Sequence, residues 1–184
     1  LGKGIQREKL KAIIPVHLYG MPAKMHELMA VSEKYNIPVL EDAAEAIGSA
    51  INGKKCGTFG DLGVFSFNGN KIITTSGGGA LVGKDESKIN HTRFLATQAK
   101  DDAPHYEHSH VGYNYRISNV VAGIGRGQLK VLGQRVAKKR YIYEFYKKEL
   151  GGLDGVSFMP INDWNEPNCW LTCMVLEGNV KALD

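Results

Sequence analysis

Ala12-Ile13-Ile14-Pro15-Val16 and Ile37-Pro38-Val39-Leu40 are two short apolar runs, and residues 21–35 between them carry apolar side chains at helical spacing. Short apolar runs are typical of buried strands, and the intervening pattern is typical of an amphipathic helix. A strand, a helix and a second strand in this order form a βαβ crossover, which makes the two strands parallel. The stretch therefore predicts an α/β layer fold with a mostly parallel sheet.

Polar residues follow both predicted strands: His17-Leu18-Tyr19-Gly20 after the first, and Glu41-Asp42 after the second. In open α/β sheets, ligands bind beyond the carboxyl ends of the strands. We therefore expect a binding site near these residues. For His17 a structural role at the strand end and a role in the site are equally open.

Further elements follow along the chain. Asn52-Gly53 predicts a hairpin, residues 62–67 a strand, and Gly77-Gly78-Gly79 precedes a strand at Ala80-Leu81-Val82. Asp85-Glu86 places acidic side chains in the first turn of a helix, where the helix dipole favours them.

Residues 119–150 read as one long helix, although Gly123, Gly125 and Gly127 each cost about 1 kcal/mol relative to alanine. We expect close helix packing there, or a weakened helix. Gly151-Gly152 ends the pattern, and a loop-rich passage leads to a predicted strand at residues 170–176.

The pattern divides the chain into residues 1–150, part of a large domain, and residues 151–184, the start of a smaller C-terminal domain. The first residue is not methionine, and an apolar run stands close to the last one. We therefore expect the chain to be a segment of a longer protein.

Composition narrows the functional classes. The chain has 184 residues, 43% hydrophobic and 23% charged, which is ordinary for a globular protein. It has no run of about 18 apolar residues and no apolar signal peptide, so we expect a cytoplasmic protein without a membrane partner. The net charge is +4 and most of the basic residues are spread along the chain, so we expect no nucleic-acid partner. Three cysteines are an odd number, and we expect reduced thiols.

Asp42 and Lys71 are the residues that call for a chemical explanation, because each follows a predicted buried strand. A strand-end lysine alone is usually a solvated charge. Here, however, Asn68-Gly69-Asn70 predicts a tight polar turn before Lys71, and the glycine run at residues 77–79 lets backbone approach closely. This context favours a functional lysine.

Several ordered motifs together resemble the sugar aminotransferases of the DegT/DnrJ/EryC1 family. They are residues 41–49 (Glu-Asp-Ala-Ala-Glu-Ala-Ile-Gly-Ser), residues 60–71 ending in Ser66-Phe67-Asn68-Gly69-Asn70-Lys71, and Gly112-Tyr113-Asn114-Tyr115-Arg116. The resemblance covers nearly the whole chain. It implies the large domain, in part, of a fold type I transferase dependent on pyridoxal 5′-phosphate: three layers around a mostly parallel sheet.

The resemblance implies a role for each matching residue. Lys71 would bond to the aldehyde of pyridoxal phosphate and, when released, act as the base that moves a proton. Asp42 would pair with the pyridine nitrogen and keep it protonated. Ala44 would pack on the cofactor ring, and Ser66 would bind its phosphate.

The resemblance implies that the remaining matching residues contact the substrate or the partner subunit. Asn114 would reach a cofactor phosphate across a dimer interface, and Arg116 would bind a carboxylate or phosphate. Glu45 stands where many relatives have histidine or glutamine, and it would contact both cofactor and sugar. Family members that lack the lysine are dehydrases, and Lys71 argues against that reaction.

The implied reaction transfers an amino group from glutamate to a nucleotide-linked 4-keto-6-deoxy sugar, for surface glycan synthesis, in a homodimer. Residues 66–71, 75–79 and 105–108 most resemble enzymes that aminate a UDP-linked sugar on the way to bacillosamine. Two alternatives stay open: a GDP-4-keto-6-deoxymannose aminotransferase, and a non-catalytic fragment.

His105, His108 and His110, with Glu107 among them, are the residues that could point to a metal. They lack a second ordered pair of ligands, so we expect a polar loop and no metal site.

Overall fold

A computed structural model describes residues 10–178 of the chain. The elements in chain order are a single 3-10 turn (Leu18–Gly20), α1 (Met25–Tyr35), β1 (Leu40–Asp42), β2 (Ala50–Ile51), β3 (Lys54–Lys55), β4 (Leu62–Ser66), β5 (Gly79–Gly83), α2 (Glu86–Ala96), α3 (Asn119–Lys130), α4 (Leu132–Leu150), β6 (Val156–Phe158), β7 (Asn165–Glu166) and β8 (Met174–Leu176). The α/β class predicted from the sequence is confirmed.

The central sheet has the order β1-β4-β5, with β1 parallel to β4 and β4 antiparallel to β5. The predicted first strand does lie parallel to β1, but it forms only two isolated bridges, Ile13 with Val39 and Val16 with Asp42. Pro15 explains the interruption, because proline has no N–H to donate to a ladder. The predicted βαβ crossover is therefore present, with a shorter first strand.

A buried carboxylate, Glu41, ties β1 to the loop before β4. Glu41 and His17 are both fully buried, with His17 Nε2 3.0 Å from Glu41 Oε2. The other ring nitrogen, Nδ1, accepts the Ala23 N–H, so the ring proton lies on Nε2 and is donated to Glu41. Of the two roles left open for His17, the structure supports the structural one.

Three backbone N–H groups complete the shell of Glu41: those of Gly57, Phe59 and Gly60, at 2.7, 2.5 and 2.7 Å. Burial raises the pKa of this carboxyl, but the hydrogen bonds from His17, Gly60 and Gly57 outweigh that effect and hold the pKa below its ordinary value. Glu41 is therefore a fixed anion inside the fold.

The predicted hairpin at Asn52-Gly53 is confirmed, since β2 pairs antiparallel with β3. On its other edge β2 pairs antiparallel with β7. Next to this small sheet lies a buried cluster formed by Met25, Val39, Ile51 and Phe59. The cluster joins α1 to both sheets.

Three predicted helix boundaries are correct, those at Asp85-Glu86, Asn119 and Leu150, and the long helix contains a break that was not predicted. Asp85 caps α2 by accepting the N–H groups of Ser87 and Lys88, and α4 ends at Leu150 as expected. The single helix over residues 119–150 is instead two helices, because Val131 leaves helical geometry at φ −106°, ψ 4°. The break lets α4 pack on a separate buried cluster through Val136.

Close packing is found at one of the three helical glycines. A Cβ atom on Gly125 would lie 3.1 Å from Thr75 Cγ2, whereas Gly123 and Gly127 face open space. The expectation of close packing therefore holds at Gly125.

The predicted strand over residues 170–176 is shorter than expected and comprises only β8, which pairs antiparallel with β6. Cys169 has a positive φ of 52°, and Trp170 donates its N–H to the side chain of Asn168 instead of a strand neighbour. Extended structure begins only after this turn. The division at residue 150 stays a prediction, and β7 beyond it pairs with β2 before it.

We predict that Glu41→Gln lowers the free energy of unfolding by about 3 kcal/mol at neutral pH, because an amide group cannot accept all four donors. Urea denaturation of the purified protein measures this change. The control is Glu27→Gln, whose side chain is 71% exposed and pairs with Lys24 at the surface. We expect little change there.

The difference in unfolding free energy between wild type and Glu41→Gln should decrease as the pH falls. The pKa of Glu41 is lowered on folding, so its contribution is present at neutral pH and is lost as pH falls through the folded-state value. The stability gap between wild type and Glu41→Gln should narrow below the ordinary range of glutamate. A gap that is constant down to acid unfolding would contradict this account.

Candidate active site

Two of the predicted site residues end neighbouring parallel strands. Asp42 is the last residue of β1 and Ser66 the last residue of β4, and Asp42 is in register with Val64. Asp42 Oδ1 accepts the N–H of Ala44 at 3.0 Å, and Ser66 Oγ accepts that of Asn68 at 3.3 Å. The structure thus brings Asp42, Ala44 and Ser66 to the same edge of the sheet.

Lys71 lies in the turn that leaves β4. Its backbone N–H donates to the carbonyl of Asn68 at 3.1 Å, which closes the polar turn predicted from the sequence. Its side chain is only 12% exposed, and Nζ lies 3.5 Å from Glu45 Oε1. The amine is therefore held on one side by a carboxylate.

The other wall around the Lys71 amine is aromatic. Nζ lies 4.3 Å from the centroid of the Trp170 ring, within the range of a cation–π contact. Trp170 is 7% exposed and packs in a buried cluster with Ile72, Ile73 and Val136. The ring is thus supported from behind by α4.

Glu45 is fixed from a second direction. Its Oε2 accepts the backbone N–H of Tyr19 at 2.6 Å, while Oε1 faces Lys71. Tyr19 has a φ of 58°, an uncommon conformation for a residue with a side chain. The segment after the first predicted strand is therefore shaped to present an N–H to Glu45.

Asn168 joins this arrangement to the C-terminal part of the chain. It is fully buried, and its Nδ2 donates to the carbonyls of Glu45 and Ile47 at 2.8 and 2.9 Å. Its Oδ1 accepts the N–H of Trp170 at 2.8 Å, and its own N–H donates to Ser49 Oγ. One side chain therefore holds the backbone of both neighbours of the lysine amine.

The donor set fits the cofactor that the sequence resemblance implies. Lys71 offers an amine, Ser66 a hydroxyl, and Asp42 a half-buried carboxylate. Within residues 10–178, the Asp42 side chain accepts only the Ala44 N–H, on Oδ1, so Oδ2 is available to a protonated ring nitrogen. These three groups supply the partners for an aldehyde, a phosphate and a pyridine ring.

Asn114 and Arg116 belong to the segment between α2 and α3. Both are exposed, and Asn114 forms an antiparallel bridge with Thr97 at the end of α2. Arg116 lines an open cavity of about 560 Å³ between β5, α2 and the start of α3. Within the described residues, neither forms a hydrogen bond or ion pair with Asp42, Ser66 or Lys71.

The histidine-rich loop is polar and exposed. His105 pairs with Glu107 at 3.3 Å, and His108 Nδ1 lies 2.9 Å from the carbonyl of Gln98. In the part of the chain that the structure describes, no cluster of three or more histidine, cysteine or acidic side chains could hold a metal. The same residues include no helix long and apolar enough to cross a membrane.

Sequence reasoning placed Tyr19 only within a segment near the expected site, and it missed Asn168 and Trp170. The hydrogen bond from Trp170 to Asn70 spans 100 residues, and that from Asn168 to Glu45 spans 123. No local pattern reports such a separation. The sequence offered one signal. An amide side chain, Asn168, and a bulky aromatic one, Trp170, stand directly after Pro167, in a loop that would usually carry solvated residues.

The chain belongs to the DegT/DnrJ/EryC1/StrS aminotransferase family, whose model matches residues 3–182. This match, with the lysine and aspartate at the sheet edge, confirms the resemblance drawn from the motifs.

Individual relatives agree with this membership. EpsN of Bacillus subtilis, provisionally named a pyridoxal phosphate-dependent aminotransferase, is 53% identical over 174 residues, which is 95% of this chain and 45% of EpsN. GDP-perosamine synthase of Vibrio cholerae is 39% identical over 180 residues, 95% of this chain and 47% of that protein. The crystal structure of the aminotransferase TlmJ from Streptoalloteichus hindustanus superposes with a TM-score of 0.86 at 30% identity, over 92% of this chain and 48% of TlmJ. The chain thus spans about half the length of these relatives.

We predict that Gly20→Ala destabilises the fold more than Gly53→Ala does. Both glycines have positive φ, 86° and 79°, so both substitutions impose about 1 kcal/mol of backbone strain. A Cβ on Gly20 would also lie 1.8 Å from Asn168 Oδ1, whereas one on Gly53 meets open space. Displacing Asn168 should bring the loss for Gly20→Ala to about 3 kcal/mol in urea denaturation. Equal losses in the two variants would contradict the proposed contact.

Proposed function

We propose that this chain provides the lysine-bearing part of a pyridoxal phosphate-dependent aminotransferase that moves an amino group from glutamate to a nucleotide-linked 4-keto-6-deoxy sugar. The observation that carries the proposal is the position of the Lys71 amine, half-enclosed between Glu45 and Trp170 at the sheet edge where Asp42 and Ser66 end their strands. When bound, pyridoxal phosphate supplies an aldehyde for the amino group and a ring that accepts electrons from the adjacent carbon.

Lys71 supplies the amine that holds the cofactor and, when free, accepts and returns the substrate proton at Nζ. Glu45 lies close enough to orient that amine and to contact the sugar near its reacting carbon. Asp42 would pair with the ring nitrogen of the bound cofactor, Ala44 would pack on its ring, and Ser66 would bind its phosphate.

Asn114 completes the site from the partner subunit of a homodimer, and Arg116 binds a carboxylate or phosphate. Both side chains are exposed, which leaves them open to a partner subunit or a ligand. On α3, Val120, Ile124 and Leu129 are 74%, 49% and 48% exposed, an apolar surface that a second subunit would cover. A cytoplasmic location, where nucleotide sugars are made, belongs to the same proposal.

For the sugar nucleotide we propose a UDP-linked substrate, as in the enzymes of bacillosamine synthesis. The support is the combination of residues 66–71, 75–79 and 105–108. A GDP-linked sugar is the second candidate, supported by the 39% identity to the GDP-perosamine synthase.

In the intact protein, Lys71→Ala should lower turnover by at least about a thousandfold, because it removes both the attachment point and the proton carrier. The same variant should lose the borohydride-sensitive visible absorbance of bound cofactor. Lys24→Ala, at a lysine that is 67% exposed, is the control and should keep both properties. Turnover by Lys71→Ala at the control rate would refute the proposed mechanism.

A direct competition identifies the sugar. The intact protein is incubated with glutamate, cofactor and either UDP-4-keto-6-deoxy-N-acetylglucosamine or GDP-4-keto-6-deoxymannose, and formation of the 4-amino sugar is followed. We expect a higher kcat/KM with the UDP-linked substrate. A preference for the GDP-linked substrate would replace the first candidate by the second.

A further inference from the structure

The face of the Trp170 ring lies against the amine of Lys71, and Trp170 is held by two hydrogen bonds, one from its indole ring and one from its backbone. Its Nε1–H donates to the carbonyl of Asn70 at 2.9 Å, the residue directly before Lys71. Its backbone N–H donates to Asn168. The contact with the lysine therefore does not depend on a freely rotating side chain.

The two walls of the lysine amine are also linked to each other. Asn168 holds the backbone of Trp170 with Oδ1 and the backbone of Glu45 with Nδ2. The distances from Lys71 Nζ to Glu45 and to the Trp170 ring are thus set by one buried amide. An anion on one side and an aromatic face on the other define a single resting position for a cation.

We propose that Trp170 is a positioning residue for Lys71: while the side chain is detached from the cofactor and protonated, the ring face holds its ammonium group at one point beside Glu45, from which the proton is returned. This inference rests on the proposed function of Lys71. A lysine has four flexible bonds, so a released amine would otherwise spread over many positions. Rates of proton transfer fall steeply when the reacting groups are displaced by about 1 Å.

Chemical labelling tests the contact without using the reaction. The cofactor-free intact protein is treated with limiting acetic anhydride, and acetylation of Lys71 relative to Lys24 is measured by peptide mass spectrometry. Trp170→Leu removes the ring face, and Lys71 labelling should rise by roughly threefold to thirtyfold, the range of a cation–π contact. Trp170→Phe keeps an aromatic face but loses the bond to Asn70, and it should label close to the wild-type rate.

Two controls separate positioning from loss of folding. Trp164→Leu removes the other tryptophan of the chain, which packs on the cluster around Met25, and should leave Lys71 labelling unchanged. Cys56 is 2% exposed, so its thiol should stay unreactive in every folded variant. A Trp170→Leu protein whose Cys56 reacts is unfolded, and Trp170→Met, which also lacks a ring face but fills the site with a longer apolar side chain, then takes its place in the comparison with Trp170→Phe.

Steady-state kinetics gives a second readout. Trp170→Leu should lower kcat by roughly the same factor as it raises labelling, while KM for the nucleotide sugar stays within about twofold, because the ring acts on Lys71 and not on the substrate. Trp170→Phe should restore most of kcat.

Wild-type labelling of Lys71 in folded Trp170→Leu would overturn the proposal, and so would equal labelling of Lys71 in Trp170→Phe and Trp170→Leu. The outcome is separable from the proposed function. If Lys71→Ala retains turnover, the role of Lys71 is wrong whatever the labelling shows. If Lys71→Ala is inactive but labelling is unmoved, only the positioning role of Trp170 is wrong.

Discussion

The buried carboxylate of Glu41 is the interaction on which the rest of the structure depends. It stands in the middle of β1, one residue before Asp42, and collects the side chain of His17 and three backbone N–H groups of the loop at residues 57–60. An ionised group in the interior is tolerated only when its hydrogen-bonding capacity is satisfied. The first parallel segment, β1 and the approach to β4 are therefore fixed relative to one another, and the strand ends bearing Asp42 and Ser66 are fixed with them.

A second set of contacts depends on Asn168. Glu41 organises the sheet edge, but it does not touch the lysine. The lysine amine obtains its surroundings from residues far along the chain, through the hydrogen bonds of Asn168 to Glu45 and Ile47 and through the Trp170 ring. The sheet edge fixed by Glu41 and the side chains held through Asn168 together keep the Lys71 amine in a defined place.

Sequence patterns were sufficient for the parts of this molecule that local chemistry determines. The Asn52-Gly53 hairpin, the cap at Asp85 and the strand leading to Lys71 each follow from residue types at short range. The break at Val131 was not predicted. Beyond it, Val136 on α4 packs with Ile72, Ile73 and Trp170, and no local pattern reports contacts over such separations.

The residues of the candidate site also fall into those that the sequence predicts and those that depend on distant contacts. Asp42, Ser66 and Lys71 were predictable because strand ends and a motif point to them. Tyr19 was not, because it contributes a backbone N–H that any residue could supply. Asn168 and Trp170 were not, because nothing in their neighbours reports that they contact residues 45 and 71. The family resemblance pointed to residues proposed to contact the cofactor, and it did not point to the residues that hold them in place.

The long separation between Lys71 and Trp170 has a consequence for how the protein is made. Synthesis proceeds from the amino end, so the strand ends and the lysine leave the ribosome about a hundred residues before the aromatic wall does. Contacts that close such long loops form late in folding. During that interval the nascent chain presents a lysine whose amine is still solvated and unrestrained. The surroundings of the Lys71 amine are thus completed only after residue 170 has been made, and not gradually as the chain grows.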